Sequence, residues 1–369
     1  MSEIKPIVMP KWGLAMQEGT LAKWSVQEGD TIAPGQEIMD IETSKIANVF
    51  ESPVGGVLRK RVAGDGEVLP VGALLGVVAE PGTPEAAIES FVADFLARFA
   101  TAAKEDVAPP EPSVIEVAGK RTRYLKLGPD EGTPVVFIHG FGSDHAAWLF
   151  NHTAAAESHP AYALDLPGHG GSSKDVGDGT VASLAAHVSA FLDQLGIGKA
   201  HLVGHSLGAA IATLVAAAKP DRAVSLALIA PAGVGSAING AFLDGFLQEV
   251  RGKKLRPVLE ALVANADLIT GDMVEDVLKA KRLDGAEAAL TTIRNANLPG
   301  NTQAISVTAQ IAALKCPVMA IAGAQDAIIP AEQIQSLPAS VAKHVIAGAG
   351  HIPHMEKAND VNALLAKLR

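Results

Sequence analysis

Sulfur chemistry is almost missing from this sequence. A single cysteine, Cys316, stands among 369 residues, so no intrachain disulfide forms and no cysteine-based metal site can be assembled. That suits a reducing compartment, and a cytoplasmic protein without a metal is the expectation. Cys316 directly precedes Pro317 at the head of an apolar run and reads as a buried structural thiol. Aromatic residues are also scarce, at 4%, so the cores must be aliphatic. Cationic excess is lacking: 30 Lys and Arg face 40 Asp and Glu, for a net charge of -10, which argues against a nucleic-acid partner. No apolar run is long enough to span a bilayer, and Met1 to Gly13 lacks a basic stretch followed by an apolar core. No membrane partner is expected.

What is present fits globular domains: 48% hydrophobic and 19% charged residues, in a chain long enough for two or three cores. Residues 1–80 read as short β-strands broken by Gly, Pro and Asp, and they repeat once. Gly19-Thr20-Leu21 corresponds to Gly56-Val57-Leu58, and Val26 to Ile41 resembles Val62 to Val77, with Pro34 matching Pro70. Two similar half-sheets burying each other's apolar faces are expected, as a small flattened barrel or sandwich. Residues 81–112 form a connecting region. Within it Ile88, Phe91, Val92, Phe95, Leu96 and Phe99 recur at helical spacing over Pro84 to Lys104. A helix packed on one of the flanking domains is the favoured reading, ahead of one that docks a partner. Val107 to Pro112 (VAPPEP) reads as a stiff, extended linker. From 113 to 369, the runs Val135 to Ile138, Ala161 to Leu166, His201 to Val203, Val224 to Ala230 and Val318 to Ala322 alternate with helical stretches. This predicts a mostly parallel sheet covered by helices on both faces, with a helical lid at about 231–314.

Lys45, in Asp40-Ile41-Glu42-Thr43-Ser44-Lys45-Ile46-Ala47, falls at the junction of the two half-repeats, where a hairpin reverses the chain and projects its side chain into solvent. Alone, one exposed lysine is a solvated charge. Together with Met9-Pro10, Gly55-Gly56 and the internal repeat, however, it resembles the lipoyl-domain family over about residues 3–80. The resemblance implies that Lys45 carries lipoic acid as an amide. The related biotinyl domains flank their lysine with methionines, whereas Ser44 and Ile46 stand here; lipoyl domains usually have Asp where this chain has Ser44.

Gly204-His205-Ser206-Leu207-Gly208 follows an apolar run and opens the helical stretch Ala209 to Lys219, the context in which GxSxG makes a sharp strand-to-helix turn around a nucleophile. Three further features stand in the required order. His139-Gly140-Phe141-Gly142 follows a strand, so the N–H groups of Phe141 and Leu207 are candidate oxyanion donors. Asp326 lies just past the strand Val318 to Ala322 and could orient an imidazole; it could equally cap a nearby helical turn. His351, after Lys343 to Ile346, completes the order Ser, Asp, His. With the loop Asp165-Leu166-Pro167-Gly168-His169-Gly170, the whole span 113–369 resembles the α/β-hydrolase family.

The two modules joined resemble the acyltransferase (E2) components of 2-oxo-acid-dehydrogenase-like complexes, specifically of acetoin-cleaving systems. The resemblance implies transfer of acetyl from lipoyl-Lys45 to coenzyme A through an acyl-Ser206. It also implies a thiamine-diphosphate E1 and a dihydrolipoamide dehydrogenase E3 as partners, with a homo-oligomer as one option. The His-x-x-x-Asp-Gly signature and the separate subunit-binding domain of most E2 proteins are lacking. A serine esterase or thioesterase with an attached lipoyl domain is the alternative, because the same three residues serve either reaction.

Overall fold

A computed structural model describes residues 4–10, 16, 18–43, 47–102 and 110–368. The chain divides into two compact units, Met1–Pro110 and Glu111–Arg369.

In the first unit, short strands with alternating burial, such as Glu18–Trp24, build two four-stranded antiparallel sheets. One runs in the order Lys5–Val8, Leu74–Ala79, Gly56–Arg61, Thr31–Ile32; the other in the order Ala47–Glu51, Glu37–Glu42, Glu18–Trp24, Glu67–Pro70. The expectation of one sheet per half-repeat is therefore corrected: each sheet takes two strands from each half. A sheet made from one half would leave its apolar face open until it met its twin. Interleaving instead puts Ile7, Leu21, Ile38 and Ile41 of the first half in one core with Leu58, Leu75 and Val78 of the second. The Trp24 indole donates across the halves to the Ala63 carbonyl at 3.0 Å.

The helix Glu85–Ala102 packs on this same unit. Ile88 and Val92 are buried against Leu74, Val77 and Ala79, and fully burying such side chains stabilises by about 1.5–3 kcal/mol each. Its start is tied down by Arg59, which donates to the Thr83 carbonyl at 2.9 Å and pairs with Glu85 at 3.3 Å. Of the Pro-rich stretch, only Pro110, Glu111 and Pro112 lie among the described residues.

The second unit is built on an eight-stranded sheet in the order Ala342–Ile346, Val318–Gly323, Ala223–Ile229, Ala200–His205, Val135–Ile138, Ala161–Leu164, Lys120–Leu127, Ser113–Val117. The first six strands are parallel. Three of them are buried along their whole length because helices cover both faces: Val181–Gln194 and Leu207–Ala218 on one, Leu149–Ala156 and Ala358–Leu368 on the other. The last two strands form an antiparallel hairpin turning at Ala118 and Gly119, both at positive φ. The apolar runs do not reveal this hairpin, because its second strand, one in from the edge strand Ser113–Val117, carries Lys120, Arg121, Arg123 and Lys126.

Between Ile229 and Val318 come the helices Gly240–Gln248, Gly252–Glu260, Gly271–Lys281, Ala286–Asn297 and Thr308–Ala313. The last of these buries Ile311 in the core beside the helix Leu207–Ala218. No helix among the described residues is long and apolar enough to cross a membrane.

Candidate active site

Ser206 sits between the strand Ala200–His205 and the helix Leu207–Ala218 with φ 52° and ψ -118°, a conformation side-chain-bearing residues rarely adopt. Neighbouring backbone holds it there: Ser206 N–H donates to Ile229 O at 2.9 Å, and Ser206 O accepts from Ala209 at 3.0 Å and Ala232 at 3.1 Å. The glycines are required by crowding. A Cβ at Gly204 would lie 2.4 Å from Gly208 O, and one at Gly208 would lie 2.1 Å from Ile138 O.

Asp326 and His351 are brought together, His351 Nδ1 lying 2.9 Å from Asp326 Oδ2 with both side chains buried. The other carboxylate oxygen of Asp326 accepts from Ile328 and Ile329 N–H at 2.8 and 2.9 Å, so the acid both orients the imidazole and closes its own turn. The two loops meet through glycine: a Cβ on Gly323 would lie 2.0 Å from Gly350 O. Ser206 Oγ forms no hydrogen bond among the described residues. His205 Nε2 lies 2.9 Å from His351 O, with the two rings 4.9 Å apart. Burial, with the charges of His354 and His351, holds His205 well below the usual histidine range. The His351 carbonyl can only accept, so Nε2 carries a proton and donates to it.

Gly140 closes the site from the other side, since a Cβ there would lie 3.1 Å from Ser206 Cβ. The next residue, Phe141, and Leu207 place N–H groups that donate to no other backbone group among the described residues. For Leu207 the reason is its position as the first residue of a helix, where N–H groups have no intrahelical partner and the dipole favours negative charge. Phe141 is anchored by its ring, 5.9 Å from that of Phe246 on the lid helix Gly240–Gln248.

Lys45 lies outside the described residues. The strands on either side of it, Glu37–Glu42 and Ala47–Glu51, pair antiparallel with Glu42 opposite Ala47.

Three further buried features support these loops. The loop after Leu164 is held by buried Asp165, which accepts from Arg123 Nε at 2.5 Å, Gly171 N–H at 2.7 Å and His145 N–H at 2.9 Å. Burial would raise the Asp165 carboxyl, but the His145 hydrogen bond and the charges of His145 and Arg123 keep it below the usual carboxylate range. Asp144, His145 and Asp165 hold ligand-type atoms within 4.8 Å of one another. The Arg123 guanidinium already fills the cation's place there. The second feature is His354, fully buried between Trp148 and His205, and the third is Glu356, also buried. Neither has a sequence signature beyond proximity to His351.

The alpha/beta hydrolase family model matches residues 135–364, and a model described as biotin-requiring enzyme, covering biotin and lipoyl attachment domains, matches residues 5–78. A protein of Cupriavidus necator named as the dihydrolipoyllysine-residue acetyltransferase component of an acetoin cleaving system is 44% identical over 364 residues, which is 99% of this chain and 97% of its own length. Its namesake in Pseudomonas putida is 44% identical over 371 residues, the full length of both. The chain belongs to this acetoin-system acetyltransferase family.

Among solved structures, a meta-cleavage product hydrolase from Pseudomonas fluorescens superposes with a TM-score of 0.63 at 23% identity, covering 69% of this chain and 96% of its own. An epoxide hydrolase gives 0.61 at 21% identity, covering 70% and 98%. These likenesses show that in this acetyltransferase the second unit has the α/β-hydrolase fold.

Proposed function

We propose that this acetyltransferase moves acetyl from a lipoyl thioester to coenzyme A through an acyl-serine on Ser206. What carries this reading is the Asp326–His351 hydrogen bond beside a strained serine elbow, in a chain that also bears a lipoyl-type β-sandwich. The hairpin formed by Glu37–Glu42 and Ala47–Glu51 fits the attachment of lipoic acid to Lys45, between the paired ends Glu42 and Ala47. When bound, that group supplies a thiol on a long flexible arm.

The chain's own residues then act as follows. His351 Nε2 takes the Ser206 proton while Oγ attacks the thioester carbonyl, and the N–H groups of Phe141 and Leu207 meet the developing oxyanion. The C–S bond breaks and His351 returns the proton to the departing thiolate. Coenzyme A then gives its thiol proton to His351, its sulfur attacks the acyl-serine carbonyl, and Ser206 leaves with the proton. Asp326 holds Nδ1–H throughout, so that Nε2 is the free base.

The same site would serve hydrolysis, but both near-full-length relatives are named as acetyltransferases, and that favours transfer. They are also named as components of a system, which supports a thiamine-diphosphate E1 and a dihydrolipoamide dehydrogenase E3 as partners. Cys316, expected to be buried, is half-buried, and burial pushes its thiol up; with one cysteine and no disulfide possible, a reducing, cytoplasmic setting is the reading.

Ser206→Ala should abolish turnover while intact mass still shows one lipoyl increment, and Lys45→Ala should remove the increment. Acetyl transfer surviving Ser206→Ala would overturn the mechanism.

A further inference from the structure

The lid and the proposed base share a buried acid. Glu356 stands five residues after His351, at the end of the short helix Pro353–Glu356, and is 6% exposed. Its two oxygens face in different directions. Oε1 accepts from Gly350 N–H at 2.6 Å, one residue before His351. Oε2 accepts from Ala264 N–H at 2.7 Å, in the lid segment that follows the helix Gly252–Glu260. The same segment returns the contact: Leu262 O accepts from His351 N–H at 2.8 Å and from Ile352 N–H at 3.3 Å. Packing is so close that a Cβ on Gly350 would lie 2.7 Å from Leu262 O. The His351 loop is thus sewn to residues 262–264 of the lid by three hydrogen bonds, and a fourth, from Gly350 N–H, ends within the loop on the same carboxylate that Ala264 reaches.

We propose that Glu356 is a positioning residue that fastens the His351 loop to the lid, so that lid and base move as one body and the base is aligned only while this lid segment is seated. The inference rests on the reading of His351 as general base. It goes beyond that reading by assigning the lid a role in aligning the dyad, where the sequence suggests only a cover. The chemistry demands a carboxylate. Two N–H donors from two chain segments need two acceptor oxygens, whereas the amide of glutamine offers one oxygen and sets its NH₂ against the other donor. Glu356→Gln keeps the volume and removes one tie.

The test uses the full-length chain with an aryl acetate, which reports on Ser206, His351 and Asp326 without a carrier or coenzyme A. A hydrogen bond to a charged group supports a fall in kcat of roughly ten- to hundredfold in Glu356→Gln. KM should stay within about twofold, because Glu356 is bonded to Gly350 and Ala264 and acts through the base. Hydrogen exchange supplies a readout that a loss of bulk stability would not mimic. Peptides covering 261–265 and 348–352 should exchange at least about tenfold faster in the variant, while 202–210 keep their protection.

Unchanged kcat, or protection retained at both segments, would overturn the proposal. Should Glu356→Gln fail to fold, the wild type decides: the amides of Gly350 and Ala264 must show protection factors within about threefold of each other, as a single clasp opening once requires. Unequal protection overturns the shared clasp. Failure of the underlying mechanism looks different, since Ser206→Ala would then keep wild-type ester turnover whatever Glu356 does.

Discussion

Replacing Gly208 by alanine places one methyl group where the structure has no room. The added carbon would lie 2.1 Å from Ile138 O, 2.4 Å from His139 O and 2.7 Å from Ile138 C, all backbone atoms. Ordinary contact begins at 3.4 Å, so the segment must retreat by more than 1 Å. That segment leads directly into Gly140 and Phe141. Its retreat shifts the Phe141 N–H, the proposed oxyanion donor, and a misplacement of about 1 Å costs on the order of 10²-fold in rate. Loss of one such donor, about 3 kcal/mol, gives the same figure independently. Overpacking should lower stability by about 1–3 kcal/mol.

The assay is pre-steady-state and steady-state turnover of an aryl acetate, alongside denaturant unfolding. Gly198→Ala is the control, because nothing lies within 4 Å of a Cβ built there. Gly208→Ala should fold and lose about two orders of magnitude in kcat. If its kcat matched that of Gly198→Ala, the close approach of these two loops would not be what sets the oxyanion donors.

Three further outcomes follow from buried groups. Asp165→Ala leaves Arg123 and three N–H donors without their acceptor and should destabilise the second unit by about 3–5 kcal/mol in chemical denaturation; a loss under about 1 kcal/mol would contradict the network. Burial holds His152 near about 4 and His354 near about 3, below an unfolded value of 6.5. In that window the unfolded chain binds more protons, so their contribution is complete above pH 6.5 and is lost as pH falls towards 4 and 3, at up to about 1.4 kcal/mol per unit for each group. Unfolding curves at pH 7.5 and pH 5 should separate in that sense, and coincident curves would refute it. Ile88→Ala should weaken the first unit by about 2–4 kcal/mol and leave aryl-ester turnover unchanged, as read by separate unfolding transitions and kcat.

Much of the second unit could be read from residues alone because central parallel strands must be apolar on both faces, and Val135–Ile138 or Val318–Gly323 announce themselves that way. Edge strands obey no such rule, and the hairpin Ser113–Leu127 stayed hidden under its charges. In the first unit the repeat was legible, but strand exchange between sheets was not, since alternation fixes which side of a strand is buried without naming its neighbour. The site shows the same division. Ser206, Asp326 and His351 could be named as candidates because turn glycines and strand ends mark them, and the structure brings the last two into hydrogen-bond contact. The ties that hold His351 run to the carbonyl of Leu262 and the N–H of Ala264, groups every residue possesses, and no sequence pattern points to them.

The most direct measurement follows labelled acetyl through the lipoylated full-length protein, loaded as an acetyl thioester, with and without coenzyme A. Label trapped on Ser206 when coenzyme A is withheld, and recovered as acetyl-coenzyme A when it is added, is the predicted result. Free acetate released equally in both cases, with no label ever on Ser206, would contradict it.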